Sequence, residues 1–441
     1  MGSTELESRR SGRQRNTAFC TCSASALKDM GARLRALRTA AGWTQAELGR
    51  PFSKGYVSLV ENGRVAPSLA LLSVAAARLG TPIECLVPEA DGCWRAEDVQ
   101  QLWDAAQRLG RQGEIEDELA ALEQAVHLAD HVADVEIRAL AQLRWAEALR
   151  RSGRSVEAIG ASMAVIELLG GQGPASLRGR GYHVAALAHQ DRGDLEQATR
   201  CFEKALGRLP GRDAGRSAAL IDYARLLLRS GQDAKAEARA LAAVELSRQY
   251  GDGLEEAKAR LLRAEIHCGR AEPQAALPEL AAARAILAGF EDARLRLRLA
   301  ALEALAAAGS TREGDGAIEA TLAAAEAAGD DDVTVTLCSA LVERRLGRGE
   351  FAEAAQIAAL GVRRAQRARD WPRLAALQAR AALALVVLDR QGDAALALLG
   401  ARETFVALRR TDALRSVLRD IAGRVDAAAP ILLPLLAPPP N

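Results

Sequence analysis

Residues 193–210 read GDLEQATRCFEKALGRLP, and this stretch decides the fold. Gly193 makes the turn between two helices, Ala198 and Ala205 let them approach, Phe202 fills the groove between them, and Pro210 stops the second. The unit recurs along the chain. Gly113, Gly153, Gly193, Gly231 and Gly269 are 40, 40, 38 and 38 residues apart, and Gly349 follows two periods later. Ala158 in GRSVEAIGAS and Ala354 in GEFAEAAQIA stand five residues after their glycines, as Ala198 does after Gly193. A fixed period of this size predicts a helical solenoid, because one hairpin cannot bury both of its apolar faces whereas stacked hairpins can. We expect about eight hairpins across 94–410, with those near 290–328 and 371–408 blurred by insertions.

Composition agrees. A chain of 441 residues exceeds one ordinary core. Aromatic residues make up only 3% against 49% apolar, so Ala and Leu supply the buried surface, which suits closely packed helices and predicts an all-α protein. The seven cysteines are odd in number and scattered, the pattern of buried thiols in a reducing compartment. No run of about 18 apolar residues and no leader-like segment is present, so a cytoplasmic protein with no membrane span is expected. The net charge of +1 hides an asymmetry: residues 1–26 carry +2 and residues 27–88 carry +4, leaving −5 for the rest. A polyanion partner at the N-terminal end follows.

Residues 1–26 lack periodicity and read as a disordered basic arm. Either Met1 or Met30, which opens MGARLRALR, can serve as the translation start. Residues 27–88 divide into five short helices. Leu34, Leu37 and Ala41 form a stripe ended by Gly42; Thr44 caps the next helix with Glu47 three residues on; Ser53 caps a third that carries Val57 and Val60 inward; Ser68 opens a fourth, stopped by Gly80; and Pro82 begins a short fifth. The third helix has what a major-groove reader needs. Ser53, Lys54, Gly55 and Tyr56 occupy its first turn, where side chains and free N–H groups face base edges and phosphates. Lys54 can donate to guanine, Gly55 leaves room for close approach, and Tyr56 offers a ring or a hydroxyl.

Gln45, Glu47, Leu48, Gly55, Ser58, Glu61, Asn62, Gly63, Pro67 and Ser68 together resemble the Cro/C1-type (xenobiotic-response-element) helix-turn-helix family. The resemblance covers 30–87 and implies a five-helix, lambda-repressor-like DNA-binding domain. It places Ser53, Lys54, Gly55 and Leu59 toward bases, and Gln45, Asn62 and Arg64 toward phosphates. It also pairs Arg38 with Glu61. The connection LGRPFS is shorter than in most members, and Pro51 interrupts it. The repeats resemble tetratricopeptide repeats, strongly at 179–210, and the joint architecture resembles bacterial regulators whose repeat domain senses a signal.

A solenoid's concave face is its default binding surface. Arg150, Arg151, Arg180, Arg225, Arg229 and Arg263 fall on or near that face, where guanidinium groups either hold an acidic peptide or pair with carboxylates of this chain. Peptide-pheromone receptors of similar architecture use concave asparagines, but the asparagines here are Asn16, Asn62 and Asn441, none in the repeats. Gln142, Gln190 or Gln232 can substitute. Enzyme chemistry has little support. His127 and His131 in HLADH lack zinc partners at metal-site spacing, and GGQGPASLRGRG (170–181) is expected to be an inter-repeat loop and not a phosphate cradle. No cofactor or metal is expected. A capping helix, DALRSVLRDIAGRV, and a Pro-rich tail complete residues 411–441. The expected function is sequence-specific transcriptional regulation by a homodimer on a palindromic duplex, with a peptide or protein effector on the repeats. The alternative is a repeat scaffold for protein partners with a vestigial or docking helix-turn-helix.

Overall fold

The computed structural model describes residues 24–50, 52–87, 96–171, 173–309 and 312–408, and every regular element among them is helical. The arm as far as residue 23, Cys20, Cys22, Cys93, Pro51 and the segment 411–441 lie outside the described residues.

The N-terminal part contains α1 (Ala24–Ala40), α2 (Gln45–Leu48), α3 (Lys54–Glu61) and α4 (Leu69–Leu79). The expected fifth helix is a single 3-10 turn, Ile83–Cys85. The buried stripe of α1 runs through Met30 and Leu34, while Leu37 is half-buried and Ala41 exposed. It therefore sits a turn earlier than the sequence pattern suggested. Gly31 explains the shift: a Cβ there would lie 2.4 Å from the Val60 carbonyl oxygen, so α1 crosses α3 at residues 30–34 rather than at its C-terminal end.

Eight helical hairpins follow: α5 (Ala96–Gln112) with α6 (Ile115–Asp130), α7 (Val135–Arg151) with α8 (Ser155–Leu169), α9 (Ala175–Asp191) with α10 (Leu195–Arg208), and α11 (Ala214–Arg229) with α12 (Asp233–Tyr250). Then come α13 (Gly253–Gly269) with α14 (Pro273–Leu287), α15 (Ala293–Ala307) with α16 (Arg312–Ala328), α17 (Asp331–Gly347) with α18 (Phe351–Arg367), and α19 (Trp371–Val387) with α20 (Gln391–Ala407). Each hairpin turns on one left-handed residue: Gly113, Gly153, Gly193, Gly231, Ala271, Gly309, Gly349 and Asp389. Gly269, expected at one of these turns, is instead the last residue of α13. Ala271 and Asp389 carry φ of 57° and 58° without being glycine, a conformation unfavourable for side chains with a Cβ. Ala271 stands two residues past the glycine that the spacing chose, and Asp389 leaves 371–408 without a turn glycine. The turn within 290–328 does carry one, Gly309, and both regions expected to be blurred form ordinary hairpins.

Five residues past each turn the second helix presents a small side chain in seven hairpins: Ala158, Ala198, Ala236, Ala276, Gly314, Ala354 and Ala394. The six alanines are fully buried. The first hairpin has Glu118 there instead, and Gly110 makes room for it, since a Cβ on Gly110 would stand 2.6 Å from the carboxylate. Four residues further on, Leu122, Ser162, Phe202, Ala240, Leu280, Ile318, Ala358 and Leu398 are all buried. In α5–α6, α7–α8 and the five hairpins from α11–α12 to α19–α20, the second helix packs onto its own first helix along this i, i+4 stripe. Cores are continuous between hairpins, with Leu305 packing against both the cluster around Leu280 and the cluster around Leu337.

The expected loop at 170–181 ends early. Residues from Ala175 onward belong to α9, where Gly181 lies against α8 at the Ser162 carbonyl. The chain divides into two compact units, Met1–Val184 and Ala185–Asn441. The N-terminal helices thus share a unit with the hairpins α5–α6 and α7–α8.

Candidate nucleic-acid interface

Two short helices each carry a side-chain cap at the N-terminus. Thr44 and Glu47 form a reciprocal capping box on α2, with Thr44 N–H donating to Glu47 Oε2 at 2.8 Å and Glu47 N–H donating to Thr44 Oγ1 at 3.2 Å. That bonding holds the Glu47 carboxyl below its ordinary pKa. Gly49 then permits close approach: a Cβ there would collide with Val57 Cγ2 at 2.3 Å. Ser53 caps α3 by accepting from Tyr56 N–H at 3.3 Å, so α3 begins at Lys54 despite the short connection. Val57 and Val60 face inward.

Glu61 is the one acid on α3, and its side chain is 1% exposed. Arg38 Nε donates to its Oε1 at 2.6 Å, Arg38 Nη2 to its Oε2 at 3.1 Å, and Gln45 Nε2 to its Oε2 at 2.7 Å. Arg38 Nη1 also donates to the Trp43 carbonyl at 2.7 Å, tying the end of α1 to α2. The hydrogen bond to Glu61 raises the Arg38 pKa above its ordinary value. The forked pair neutralises the only charge on α3 that would repel a phosphate.

The outward side carries Lys54, Gly55, Leu59 and Asn62, with Arg64 just beyond, and all five are exposed. Lys54 and Arg64 have no side-chain partner among the described residues. A Cβ at Gly55 would meet nothing within 4 Å, so packing within the protein does not require glycine there. Two expected contacts are turned differently. The Tyr56 hydroxyl accepts from Ser68 N–H at 2.7 Å, which couples α3 to the cap of α4, and Gln45 is bonded to Glu61. Ser58 is half-buried, and its carbonyl accepts from Asn62 Nδ2 at 2.7 Å. Ser53 is exposed, with its hydroxyl oxygen engaged in the cap.

Sequence reasoning missed Arg78 and Gln124. Arg78 Nη1 donates to the carbonyls of Glu47 and Leu48 at 2.6 and 3.0 Å, satisfying the C-terminal end of α2. Its Nη2 lies 3.6 Å from Asp117 on α6. Gln124, buried on α6, accepts the Ile83 N–H at 2.9 Å. The helix-turn-helix is thereby fastened to the first hairpin. An arginine at a helix C-terminus and a glutamine in a repeat carry no sequence signal for either role.

The arginines expected on the concave face are engaged within their own units. Arg151 pairs with Glu118 at 2.6 Å and Arg180 with Glu147 at 3.6 Å; Arg150 is half-buried. In the second unit Arg225 pairs with Asp222 at 3.1 Å and Arg263 with Glu279. Arg229 reaches Asp332 at 2.6 Å and Asp370 at 3.2 Å. Arg373 reaches Glu265 at 2.9 Å and Asp332 at 3.4 Å, while Arg298 joins Asp332 at 2.9 Å and also pairs with Glu265. Burial pushes the Asp332 carboxyl up, but Arg229, Arg298 and Arg373 outweigh it and hold that pKa well below the usual range. Burial likewise works against Glu265, and Arg298 and Arg373 reverse it. Burial and the neighbouring Arg298 lower the Arg225 pKa.

His127 is exposed, and no cluster of three metal-ligating side chains occurs among the described residues. No helix among them is long and apolar enough to cross a membrane.

Residues 29–89 match the family model of a helix-turn-helix domain. A search of curated protein sequences gives no match. Among solved structures, aspartyl phosphate phosphatase F from Bacillus subtilis is similar at 14% identity over 79% of this chain and 95% of that one, with a TM-score of 0.54. The apo form of RapI is similar at 11% identity over 62% of this chain and 99% of that one, with a TM-score of 0.52. Both likenesses are of fold. Bacillus thuringiensis PlcR, solved with the peptide PapR7 and DNA, aligns at 18% identity over 63% of this chain and 99% of that one, but its TM-score of 0.38 adds nothing to them.

Proposed function

We propose that the chain is a sequence-specific DNA-binding transcriptional regulator. It works in the cytoplasm as a homodimer that sets two α3 helices in successive major grooves about 34–36 Å apart on a palindromic operator. One observation carries the reading. The exposed side of α3 holds Lys54 and an unhindered Gly55, while its sole acid, Glu61, is buried against Arg38 and Gln45. A helix kept only for packing has no use for that division. Lys54 would read a base edge, Leu59 a thymine methyl, and Asn62 and Arg64 the phosphates. Tyr56 and Gln45 act as positioning residues.

The repeats serve as the sensing part, taking a peptide or protein effector, and no catalytic step is assigned to them. Selection from a random duplex pool by the purified full-length chain tests the reading. An enriched palindrome is expected. Binding that follows salt alone, with no sequence preference, refutes it and supports a scaffold.

A further inference from the structure

The inner side of the second unit forms an open cavity of about 700 Å³ lined mainly by the first helices of its hairpins. That lies within the range of small-molecule sites, about 300–1,000 Å³. Leu228, Leu302, Leu305, Leu383 and Phe405 supply an apolar wall, and the charged groups on its lining are four arginines against two glutamates. We propose that this cavity binds a compact amphiphilic carboxylate, with its apolar body along the half-buried Leu228 and Leu305 and its head at Arg380.

Three observations support that chemistry over an extended peptide. First, ion pairs cross the inner side between hairpins that are not neighbours, Arg229 to Asp332 and Arg373 to Glu265, at 2.6 and 2.9 Å. They bar a chain from threading the groove. Second, the lining of the cavity includes neither asparagine nor glutamine, the side chains that bracket a peptide backbone by giving and accepting hydrogen bonds at once. Third, the arginines differ in what holds them. Arg229 and Arg373 are gripped by Asp370, whose side chain is 1% exposed, whereas the partner of Arg380 is Glu343, 58% exposed. An exposed pair contributes little, so a ligand carboxylate can replace Glu343 on Arg380 while the deeper pairs stay intact. Cys268 lines the same cavity, and burial pushes its thiol up to about 11, so covalent capture is not part of the assignment.

The assignment keeps the sensing role proposed for the repeats, on which its biological meaning rests, and puts a small amphiphilic carboxylate in place of the peptide or protein effector; its test needs no DNA. Titration calorimetry on the full chain uses decanoate below its micelle concentration, with decylamine and decanol as matched probes. Saturable decanoate binding is expected, with at least tenfold weaker binding of the amine. Ala340→Trp, which fills the cavity from a partly exposed lining position, should abolish it with an unchanged helical spectrum. Arg380→Gln should weaken decanoate about tenfold and leave decanol unchanged. Absence of decanoate binding, equal binding by Ala340→Trp, or a peptide of six or more residues bound in preference to decanoate overturns the proposal. Operator selection that fails while decanoate binds removes only the DNA reading.

Discussion

Gly55→Ala separates what the fold needs at α3 from what the proposed duplex contact needs. Residue 55 is the second residue of α3, it is exposed, and a methyl added there meets no atom within 4 Å. Alanine loses less backbone entropy in a helix than glycine, so the substitution should stabilise the fold by about 0.5–1 kcal/mol. Residue 55 lies in the first turn, which places the gain toward the lower figure. For a unit of this size that is a rise in Tm of about 1–4 °C. If the backbone at residue 55 faces base edges, the same methyl intrudes on the contact and operator affinity should fall by about 1–3 kcal/mol, the scale of one mismatched base pair. The two effects have opposite signs, which lost folding cannot mimic. Gly316→Ala on α16 is the control, being exposed, helical and equally unhindered; it should leave DNA binding unchanged. Thermal melts and fluorescence-anisotropy titrations at one fixed salt concentration provide both readouts. A Gly55→Ala protein that is more stable and binds operator as before refutes close approach at this residue.

Lys54→Ala should weaken operator binding by about 1–3 kcal/mol and relax base preference at one position, whereas Arg64→Ala should weaken all duplexes alike and flatten the salt dependence; competition with shuffled operators tells them apart. Arg38→Ala leaves Glu61 buried without its charge partner and should cost about 3–5 kcal/mol, read as a lower urea midpoint; an unchanged midpoint refutes the pairing. Acid should destabilise the second unit. Hydrogen bonds from Arg345 and Arg312 hold Glu350 at about 2, and Glu265 and Asp332 are also held below their ordinary values. Carboxylates depressed in the fold contribute fully above their unfolded values of about 4 and lose that contribution as pH falls through the folded ones. Stability measured by denaturant should therefore decline as pH falls from about 4.5 toward 2, and a flat profile refutes the network.

Residues whose role is local were legible in the sequence. Thr44, Ser53, Ser68 and Gly80 announce helix ends through short-range chemistry, and each cap is where the residue type places it. The solenoid was legible because Ala198 and its counterparts repeat at a fixed offset from a turn. Ala271 and Asp389 depart from the glycine signal because they take the left-handed conformation of a turn without being glycine, which aspartate tolerates and alanine rarely adopts. Tyr56 and Gln45 could not be assigned from spacing. Each can reach either a duplex or a neighbour, and only the positions of Ser68 and Glu61 decide. The concave arginines were ambiguous for the same reason, since a carboxylate partner can be remote in sequence, as Asp332 is from Arg229 at 103 positions.

Those distant partners change how the second unit should respond to stress. In a simple solenoid each hairpin touches only its neighbours, so stability is a sum of local units and unfolding proceeds from an end. Here Arg229 on α11 holds Asp332 on α17, and Arg373 on α19 holds Glu265 on α13. Trp371 Nε1 donates to the carbonyl of Asp191 at 2.9 Å, across 180 positions. Buried ion pairs add little net stability compared with apolar packing, but losing one partner strands the other. Opening α19 would leave Glu265 with Arg298 as its one remaining ion-pair partner among the described residues and unseat Trp371 from Asp191 at the end of α9, so fraying at one end carries a penalty at the other. The last hairpin should therefore exchange its amide hydrogens at a rate near that of α13–α14. Exchange that proceeds hairpin by hairpin from α20 inward would show that the cross-links do not couple the array.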